Sequence, residues 1–154
     1  MITEFENKYA FLSNFYASPF THDGITYPTV EHFFQAAKTL DIAEKKAIAA
    51  ADTPSKAKRM GRAVKLRPDW EKVKVYYMEL GLRLKFTDAE LAQKLIDTGD
   101  EELIEGNWWH DQTWGSCHCS RCSRTGGRNL LGMLLMKLRK ELQYDTSSDE
   151  VAHF

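Results

Sequence analysis

Three polar side chains recur at helical spacing in the stretch YPTVEHFFQAAK, residues 27–38. Because successive residues of an α-helix are rotated by about 100°, Glu31, Gln35 and Lys38 would share one face. Glu31 falls in the first turn, where the helix dipole and the free N–H groups favour an ionised carboxylate. Such a carboxylate suits a general base or the stabilisation of a developing cation, whereas Lys38 is a nucleophile only where its surroundings lower its pKa.

The same polar stripe has a plainer interpretation as a solvated helix surface, because such faces are common on amphipathic helices. Two features favour an inward-facing site instead. Phe34 lies at the margin of the stripe, and the flanking loop is rich in aromatic residues. The helix geometry alone permits both interpretations.

A second concentration of reactive side chains lies in LIEGNWWHDQTWGSCHCSRCSRTGGRNLLG, residues 103–132. Each tryptophan taken alone is typical of core or rim packing, but three of them beside Asp111 in an irregular segment indicate a pocket built on a loop. Trp114 offers a flat ring for stacking on a heterocyclic base, and Asp111 offers a carboxylate for moving protons or orienting water. The glycines of TGGRN, just before a helix, also suggest N–H groups that are free to hold an anion.

All three cysteines lie in CHCSRC, as Cys117, Cys119 and Cys122. An odd number at such close spacing is a poor framework for disulfides. With His110 or His118 as a fourth ligand the cysteines could bind Zn²⁺ tetrahedrally, although the spacing departs from the usual pair of CxxC knuckles. A loop of free thiols is the other interpretation. If zinc binds, a structural role is favoured over a catalytic one.

The basic stretch KAKRMGR places four cations close together between Lys56 and Arg62. A solvated helix face is the plainer interpretation of such a stretch. The functional alternative is a contact to a substrate phosphate. Arg59 and Arg62 are the best candidates for it, because guanidinium groups bind phosphate in bidentate fashion.

The composition limits the class of protein. The 154 residues suffice for one domain with a hydrophobic core, and the net charge of −1 gives no overall field that would gather nucleic acid or an anionic membrane. No apolar run approaches the roughly 20 residues of a membrane span, and the N-terminal residues lack the pattern of a signal peptide. We therefore expect a cytoplasmic protein without a membrane partner.

The elements expected to position these residues are mainly helical. A short strand, ITY, follows the turn HDG, stops at Pro28 and is expected to pair in a small antiparallel sheet near the N-terminus. Helices predominate from Thr29 onward, which is a candidate N-cap for a helix over Val30–Leu40. The sequence predicts an α+β, predominantly helical single domain over residues 1–143, followed by a polar, disordered tail at 144–154.

Taken in order, the motifs resemble those of the YbiA-like, or NADAR, family. The blocks that carry the resemblance are FLSNF, GITYPTVEHFFQAAK, AKRMGR, LRPDW, LKF, TGDEELIEGNWWHDQTWG and GRNLLGMLLMKLR. They extend from about Phe11 to Arg139, and although each block alone would be weak, the ordered set is specific. The cysteine-rich stretch falls in a variable part of the family and is the region that the resemblance supports least.

The resemblance implies an N-glycosidase, an enzyme that hydrolyses the C1–N bond between a phosphorylated ribose and a nitrogen base. Known members act on phosphorylated ribosylamino-pyrimidine intermediates of riboflavin biosynthesis, or remove ADP-ribose from modified guanine bases. The implied substrate is therefore a small nucleotide-like molecule or ADP-ribosylated guanine in nucleic acid. No cofactor is required by this chemistry, and a structural zinc is compatible with it.

The residues that the resemblance assigns to the catalytic site are Glu31, Lys38, Asp111 and Trp114. Glu31 would stabilise the cationic sugar or activate water, Trp114 would stack on the base, and Asp111 would orient a group or shuttle a proton. Lys38 would either attack the anomeric carbon as an unprotonated amine or remain protonated and bind phosphate. The residues expected to contact the substrate are Asn14, Gln35, Arg59, Arg62, Asn107 and Asn129.

Two other functions remain as hypotheses. The first is a zinc-stabilised module that binds a nucleotide or ADP-ribose without turnover, and such a module would lose little function when Glu31 is replaced by Gln. The second is single-stranded nucleic-acid binding through the tryptophans and KAKR. That function predicts a steep dependence on salt and fits the near-neutral net charge poorly.

Overall fold

The computed structural model describes residues 1–152, with side chains for residues 1–146, of the 154-residue chain. The described chain divides into two compact units. The middle unit comprises Asn14–Thr87, and the terminal unit comprises Met1–Ser13 together with the chain from residue 88 onward. Helices predominate in both units and strands are short, so the predicted α+β, mainly helical class is confirmed.

The middle unit begins with a hairpin in which β1 (Phe20–His22) runs antiparallel to β2 (Ile25–Tyr27). The two-residue turn between the strands holds Asp23 and Gly24 at positive φ, as a tight hairpin turn of this kind requires. β2 ends at Pro28 because proline has no N–H with which to extend the ladder. The small antiparallel sheet expected near the N-terminus is thus confirmed.

Four α-helices follow the hairpin in the middle unit. They are α1 (Val30–Ala36), α2 (Ile42–Ala49), α3 (Pro54–Gly61) and α4 (Trp70–Lys85). Thr29 caps α1 by accepting a hydrogen bond of 3.1 Å from the His32 N–H, as the sequence predicted. α3 begins in the same way, with Thr53 as its cap and proline in the first turn, where a missing N–H has no cost.

α1 is shorter than predicted. The expectation that it reaches Leu40 is wrong, because the Lys38 N–H bonds to the Gln35 carbonyl three residues back and this tighter turn ends the helix. Leu40 itself is largely exposed. Lys38 therefore lies just beyond the helix rather than within it.

Phe33 lies at the centre of the core of the middle unit. Its ring meets the rings of Phe20, His22 and Tyr27 edge-on, with centroids 5.3–5.5 Å apart. A Cβ added at Gly81 of α4 would lie 2.9 Å from the Phe33 ring, so the absence of a side chain there allows α4 to approach α1 closely. This packing buries every residue of α1, including the polar ones.

The terminal unit has more irregular structure. Its elements are a 3-10 helix (Asn7–Leu12), α5 (Ala89–Ile96), β3 (Gly106–Asn107), β4 (Ser116–Cys117), a second 3-10 helix (Cys122–Arg124) and α6 (Leu130–Ala152). β3 pairs with β4 in parallel, and α5 packs against α6. Leu95 of α5 and Leu135 of α6 are fully buried and belong to the core of this unit.

The end of the chain was expected to be a disordered tail from residue 144. Residues 144–152 continue α6 in the structure. Residues 153 and 154, and the side chains beyond Thr146, lie outside the described part of the chain. Among the described helices, none combines the length and the apolar character that a membrane crossing needs.

Candidate functional site

The polar stripe of α1 is buried rather than solvated. Glu31 is 7% exposed and Gln35 is 4% exposed. The amide nitrogen of Gln35 donates a hydrogen bond of 2.8 Å to Glu31 Oε1, and the Glu31 N–H donates one of 3.0 Å to the Asn14 carbonyl. The solvated-surface interpretation is therefore wrong for these two side chains, and the structure holds a buried carboxylate in a defined orientation.

The side chain of Gln35 is positioned by α3. A Cβ added at Gly61 would lie 1.9 Å from Gln35 Oε1 and 2.8 Å from its Cδ, so only glycine lets the amide lie against the α3 backbone. Because Gln35 in turn holds Glu31, this glycine contributes indirectly to the orientation of the carboxylate. α1 and α3 thus position the acid together.

Two buried amide oxygens of the middle unit, Asn14 Oδ1 and Gln35 Oε1, have no hydrogen-bond partner among the described residues. Buried polar atoms are nearly always paired, and one left unpaired costs about 1–3 kcal/mol. The amide nitrogen of Asn14 donates to a weak acceptor, the Met78 sulfur, at 3.3 Å. Both oxygens are therefore acceptors without a described donor.

Lys38, at the end of the stripe, is half-buried. Burial lowers the pKa of its ammonium group below the ordinary value; the Glu31 carboxylate opposes this effect, and the positive charges of Arg62 and Lys58 reinforce it. A larger fraction of Lys38 is therefore unprotonated at neutral pH than for an exposed lysine. These interactions also show that the stripe and the basic stretch of α3 belong to one electrostatic group.

The basic stretch lies in exposed positions. Arg59 is on α3 and Arg62 is its C-cap residue, and both side chains are exposed, whereas Lys58 is half-buried. The interaction of Arg62 with Lys38 brings a guanidinium group near the stripe. The exposure of Arg59 leaves it accessible to a ligand, as a phosphate contact requires.

In the terminal unit, the Asp111 carboxylate accepts hydrogen bonds from nearby backbone N–H groups. Its Oδ1 accepts hydrogen bonds from the N–H groups of Thr113 (3.1 Å) and Trp114 (2.9 Å). Its N–H donates to Asn107 Oδ1 at 3.1 Å. This is a local side-chain turn of the kind that aspartate favours, and it fixes the backbone that carries the partly exposed Trp114 ring.

Asn107 and Asn129 also bind backbone groups of the terminal unit. Asn107, 1% exposed, donates to the Asp111 carbonyl at 2.9 Å and to the Glu105 carboxylate at 3.2 Å. Asn129, at a φ of 51°, accepts from the Glu105 N–H at 3.0 Å and donates to the Leu103 carbonyl at 2.9 Å. Both amides therefore have structural partners, and their contact with substrate stays a prediction.

The start of α6 is not an anion site. The N–H groups of residues 128–131 donate to the carbonyl oxygens of residues 112–115, at 2.8–3.2 Å. Earlier in TGGRN, the N–H groups of residues 125 and 126 donate to the Cys122 carbonyl, and that of Gly127 donates to the Ser116 hydroxyl. The interpretation of TGGRN as a set of free N–H groups is therefore wrong. The same four hydrogen bonds attach the segment that contains Trp114 to the beginning of α6.

Side chains able to hold a metal ion gather in the loop region of the terminal unit. The members of this thiol–imidazole cluster are His110, Cys117, Cys119 and Cys122, whose ligand atoms all lie within 4.8 Å of one another. Of the two histidines considered from the sequence, the structure selects the first. His118 instead places Nε2 3.4 Å from the Thr3 carbonyl.

The other two tryptophans of this region do not pack into a core. Trp108 is 64% exposed and Trp109 is 60% exposed, so the core-packing interpretation is wrong for both. The ring of Trp108 lies 5.5 Å from the ring of His118. Of the three tryptophans in this segment, Trp114 is the least exposed. Its backbone is fixed by hydrogen bonds of both its N–H and its carbonyl.

The sequence interpretation missed Lys85 of α4. This lysine is 2% exposed, and burial lowers its pKa to about 7. Its Nζ lies 5.6 Å from the centre of the Tyr16 ring and 5.2 Å from that of Phe86, so two aromatic faces lie next to the amine. The available signal was the motif LKF, in which the lysine stands directly beside buried Phe86.

The chain is similar in sequence to a known domain family and to proteins of several bacteria. The NADAR domain family matches residues 2–143. N-glycosidase YbiA of Escherichia coli is 42% identical over 139 residues, which cover 88% of this chain and 83% of that protein. A riboflavin biosynthesis protein of Vibrio vulnificus is 35% identical over 141 residues, which cover 90% of this chain but 37% of that longer protein.

The fold is shared with a solved relative. The NMR structure of the Escherichia coli protein YbiA superimposes with a TM-score of 0.79 at 39% sequence identity, covering 95% of this chain and 87% of that one. One family domain thus spans both compact units, which confirms the single-domain prediction. By its ordered motifs, its sequence identity and its fold, the chain belongs to the NADAR domain family.

Proposed function

We propose that this chain is an N-glycosidase that hydrolyses the C1–N bond between a phosphorylated ribose and a nitrogen base. The reaction class rests on the family: a relative of similar length is named an N-glycosidase, and at this level the prediction from sequence is confirmed. The observation that supports the residue assignment is the buried Glu31–Gln35 pair on α1, electrostatically coupled to Lys38.

Glu31 is assigned to the sugar. Breaking an N-glycosidic bond places positive charge on C1 and on the ring oxygen. A carboxylate in a buried, low-dielectric position stabilises that charge more strongly than one in water. Glu31 would act in this way, or would accept a proton from the attacking water, and Gln35 would keep its orientation fixed throughout.

Lys38 is assigned as a nucleophile. Its unprotonated Nζ attacks C1, the bond from C1 to the base breaks, and the base leaves with the electron pair and takes up a proton. The adduct then transfers a proton from Nζ to the ring oxygen as the ring opens to a Schiff base, which water hydrolyses to the free sugar and the amine. The lowered pKa of Lys38 supports this route. In the alternative route, Lys38 stays protonated and binds phosphate while water attacks C1 directly.

The residues of the terminal unit enter the proposal through their motif positions. Trp114 would stack on the base, and Asp111 would act as an orienter, a role that its two hydrogen bonds to the turn of Trp114 support. The proposed substrate contacts are Asn14, Gln35, Arg59, Arg62, Asn107 and Asn129. Among these, the two unpaired amide oxygens support a role for Asn14 and Gln35.

Two substrate classes fit this chemistry. The first is a free phosphorylated ribosylamino-pyrimidine, which is consistent with the similar protein of Vibrio vulnificus being named for riboflavin biosynthesis. The second is ADP-ribose joined to guanine in nucleic acid. Both carry a phosphate next to the ribose, which the exposed Arg59 and Arg62 would meet. The proposal includes no cofactor at the reacting bond, a structural role for any bound zinc, and a cytoplasmic location.

The test incubates the purified protein with each substrate class and follows the release of sugar phosphate or ADP-ribose by mass. We expect release from one class, and we expect Glu31→Gln to lose turnover by about three orders of magnitude while remaining folded. Glu71→Gln, at an exposed acid of α4, is the matched control. Release from neither substrate would contradict the function, and full turnover by Glu31→Gln would contradict its assignment.

Borohydride trapping in the same assay tests Lys38. The nucleophile route predicts a covalent adduct with the wild-type protein and none with Lys38→Ala. The absence of an adduct in the wild-type protein, or an adduct that persists in Lys38→Ala, would remove this role and leave Lys38 as a phosphate contact. Turnover itself would then remain assigned to water activated by Glu31.

A further inference from the structure

The thiol–imidazole cluster has the dimensions of tetrahedral coordination. Zinc with Zn–S bonds of about 2.3 Å and a Zn–N bond of about 2.1 Å holds its nitrogen about 3.6 Å from each sulfur. The His110 Nδ1 atom lies 3.6 Å from Cys117 Sγ and 3.5 Å from Cys119 Sγ. It lies 3.3 Å from Cys122 Sγ. All three separations are close to those that a shared central ion would impose.

Hydrogen bonding does not account for this arrangement. A neutral imidazole nitrogen offers either one N–H or one lone pair, so Nδ1 can bond to one of the three sulfurs and not to all of them. A disulfide does not account for it either, because the three thiols are free and an odd number would leave one of them out. Three sulfurs gathered around one ring nitrogen are the arrangement expected of ligands that share a metal ion.

The backbone supports the thiolate form of the cluster. The Cys119 N–H points to Cys117 Sγ at 3.5 Å, and the Cys122 N–H points to Cys119 Sγ at 3.3 Å. Donors aimed at sulfur stabilise a thiolate, which is the form that binds a metal. Cys117 is 1% exposed and Cys122 is 9% exposed, so two of the sulfurs are shielded from water. Cys119 is half-buried and His110 is exposed, so an ion can enter from their side.

The donor set identifies the ion. Three soft thiolates and one imidazole in tetrahedral array suit zinc, while magnesium and calcium require oxygen ligands. Four protein ligands fill all four positions of tetrahedral zinc and leave none for water or substrate. Such a site is structural rather than catalytic.

We propose that the thiol–imidazole cluster binds one zinc ion and that this ion fixes the loop between β3 and β4. The cluster joins Cys117 of β4 to His110, the residue immediately before Asp111. His110 has a φ of 69°, a backbone conformation that few residues other than glycine adopt. Coordination of its ring holds that conformation and, with it, the turn beneath Trp114. The role of the loop in catalysis rests on the proposed function, whereas zinc binding does not.

Metal content tests the site directly. Protein produced with zinc and then dialysed should contain one zinc per chain, and a Cys119→Ser/Cys122→Ser variant should retain less than about a tenth of it. The two histidines form a matched pair: His118→Asn should keep the zinc and His110→Asn should lose affinity by at least about tenfold. The reverse result for the histidines, or iron in place of zinc, would overturn the assignment.

A second measurement uses the wild-type sequence alone and so does not depend on the folding of the cysteine variants. Cobalt in place of zinc should give the intense visible absorption of a tetrahedral site with thiolate ligands. A weak, octahedral-type spectrum would overturn the ligand set. Failure to take up either ion, with all three thiols reacting freely with a thiol reagent, would overturn the proposal itself.

Amide hydrogen exchange tests whether the zinc ion orders the loop between β3 and β4, independently of turnover. Removing zinc from the wild-type protein should speed the exchange of the Thr113 and Trp114 N–H groups, which bond to Asp111, by at least about tenfold. The N–H groups of α4, in the middle unit, should be unaffected and serve as the internal control. Unchanged exchange at Trp114 would show that zinc does not fix the loop, whatever the enzyme proves to do.

Discussion

In the middle unit, an acid and an amide on α1 bond to each other and leave an amide oxygen without a described partner. In the terminal unit, the Asp111 carboxylate accepts from the backbone N–H groups of Thr113 and Trp114. The Asn107 side chain bonds to the N–H and the carbonyl of Asp111. Both units pair an acid with an amide, but the first arrangement leaves an amide oxygen without a described partner and the second holds a loop in place. Under the proposed function, the partner of a side chain, rather than its residue type or its motif, would distinguish a reacting group from a supporting one.

The largest expected effect compares the two acids. Glu31→Gln should lower kcat about 1000-fold, because it removes the buried negative charge. Asp111→Asn keeps the Oδ1 acceptor for the Thr113 and Trp114 N–H groups, so we expect a loss of less than about tenfold. Steady-state kinetics on the substrate that the protein accepts measures both. Equal losses of kcat in the two variants would contradict the proposed difference between the two acids and would show that Asp111 moves a proton.

The next effect compares two buried asparagines. Asn107→Ala removes partners from the Asp111 N–H and carbonyl and should lower the free energy of unfolding by about 3 kcal/mol. Asn14→Ala, whose oxygen has no described partner, should lower it by about 1 kcal/mol. Urea unfolding of the two variants measures the difference. If Asn14→Ala proves the more destabilising, the amide of Asn14 is structural and the contrast between the units is wrong.

A third effect concerns the buried amine of the middle unit. Burial lowers the pKa of Lys85 to about 7, so between pH 7 and its ordinary value the unfolded chain binds more protons than the folded one. The free energy of unfolding should therefore rise with pH in this window, by about 2 kcal/mol between pH 7 and 9, and fall as the pH returns to 7.

The check on Lys85 is the same measurement in Lys85→Met, where this part of the pH dependence should disappear. Lys72→Met, at an exposed position of the same helix, is the control for the loss of one charge. Parallel pH curves for the wild-type protein and Lys85→Met would show that the ammonium group is not desolvated in the folded protein.

The smallest effect concerns the two arginines. Arg62 helps to lower the pKa of Lys38, so Arg62→Ala should raise that pKa and move the acid limb of kcat/KM upward by less than about one pH unit. Arg59→Ala should raise KM for the phosphorylated substrate without moving the limb. A pH profile that is unchanged in Arg62→Ala would argue against an unprotonated Lys38 in the reaction.

Local signals in the sequence were sufficient for several elements. Thr29 and Thr53 determine where α1 and α3 begin, because each side chain accepts a hydrogen bond from an N–H group of the first turn. Pro28 ends a strand because it has no N–H to donate to the sheet. The order of the motifs indicated the family, and with it the reaction class. These features depend on residues that are close together along the chain or on the whole pattern of blocks.

Features that depend on distant contacts could not be predicted. The burial of Glu31 depends on two glycines in other helices, Gly61 and Gly81, that let backbones approach α1. The choice of His110 over His118 depends on the path of a loop. The last two N–H groups of TGGRN are occupied by carbonyl oxygens of residues 112 and 115, well back along the chain. None of these partners can be identified from spacing alone.

Gly61 also bears on which sugars the protein accepts. It seats the Gln35 amide on the backbone of α3, and the residue that follows it, Arg62, acts electrostatically on Lys38 at the end of the stripe. Under the proposed function, α1 would hold the anomeric carbon of a ribose and the end of α3 its 5-phosphate, so we expect the packing of these two helices to set the distance that a substrate must span. A nucleoside without phosphate would engage one end of it, and a hexose phosphate would exceed it, so both should be poor substrates.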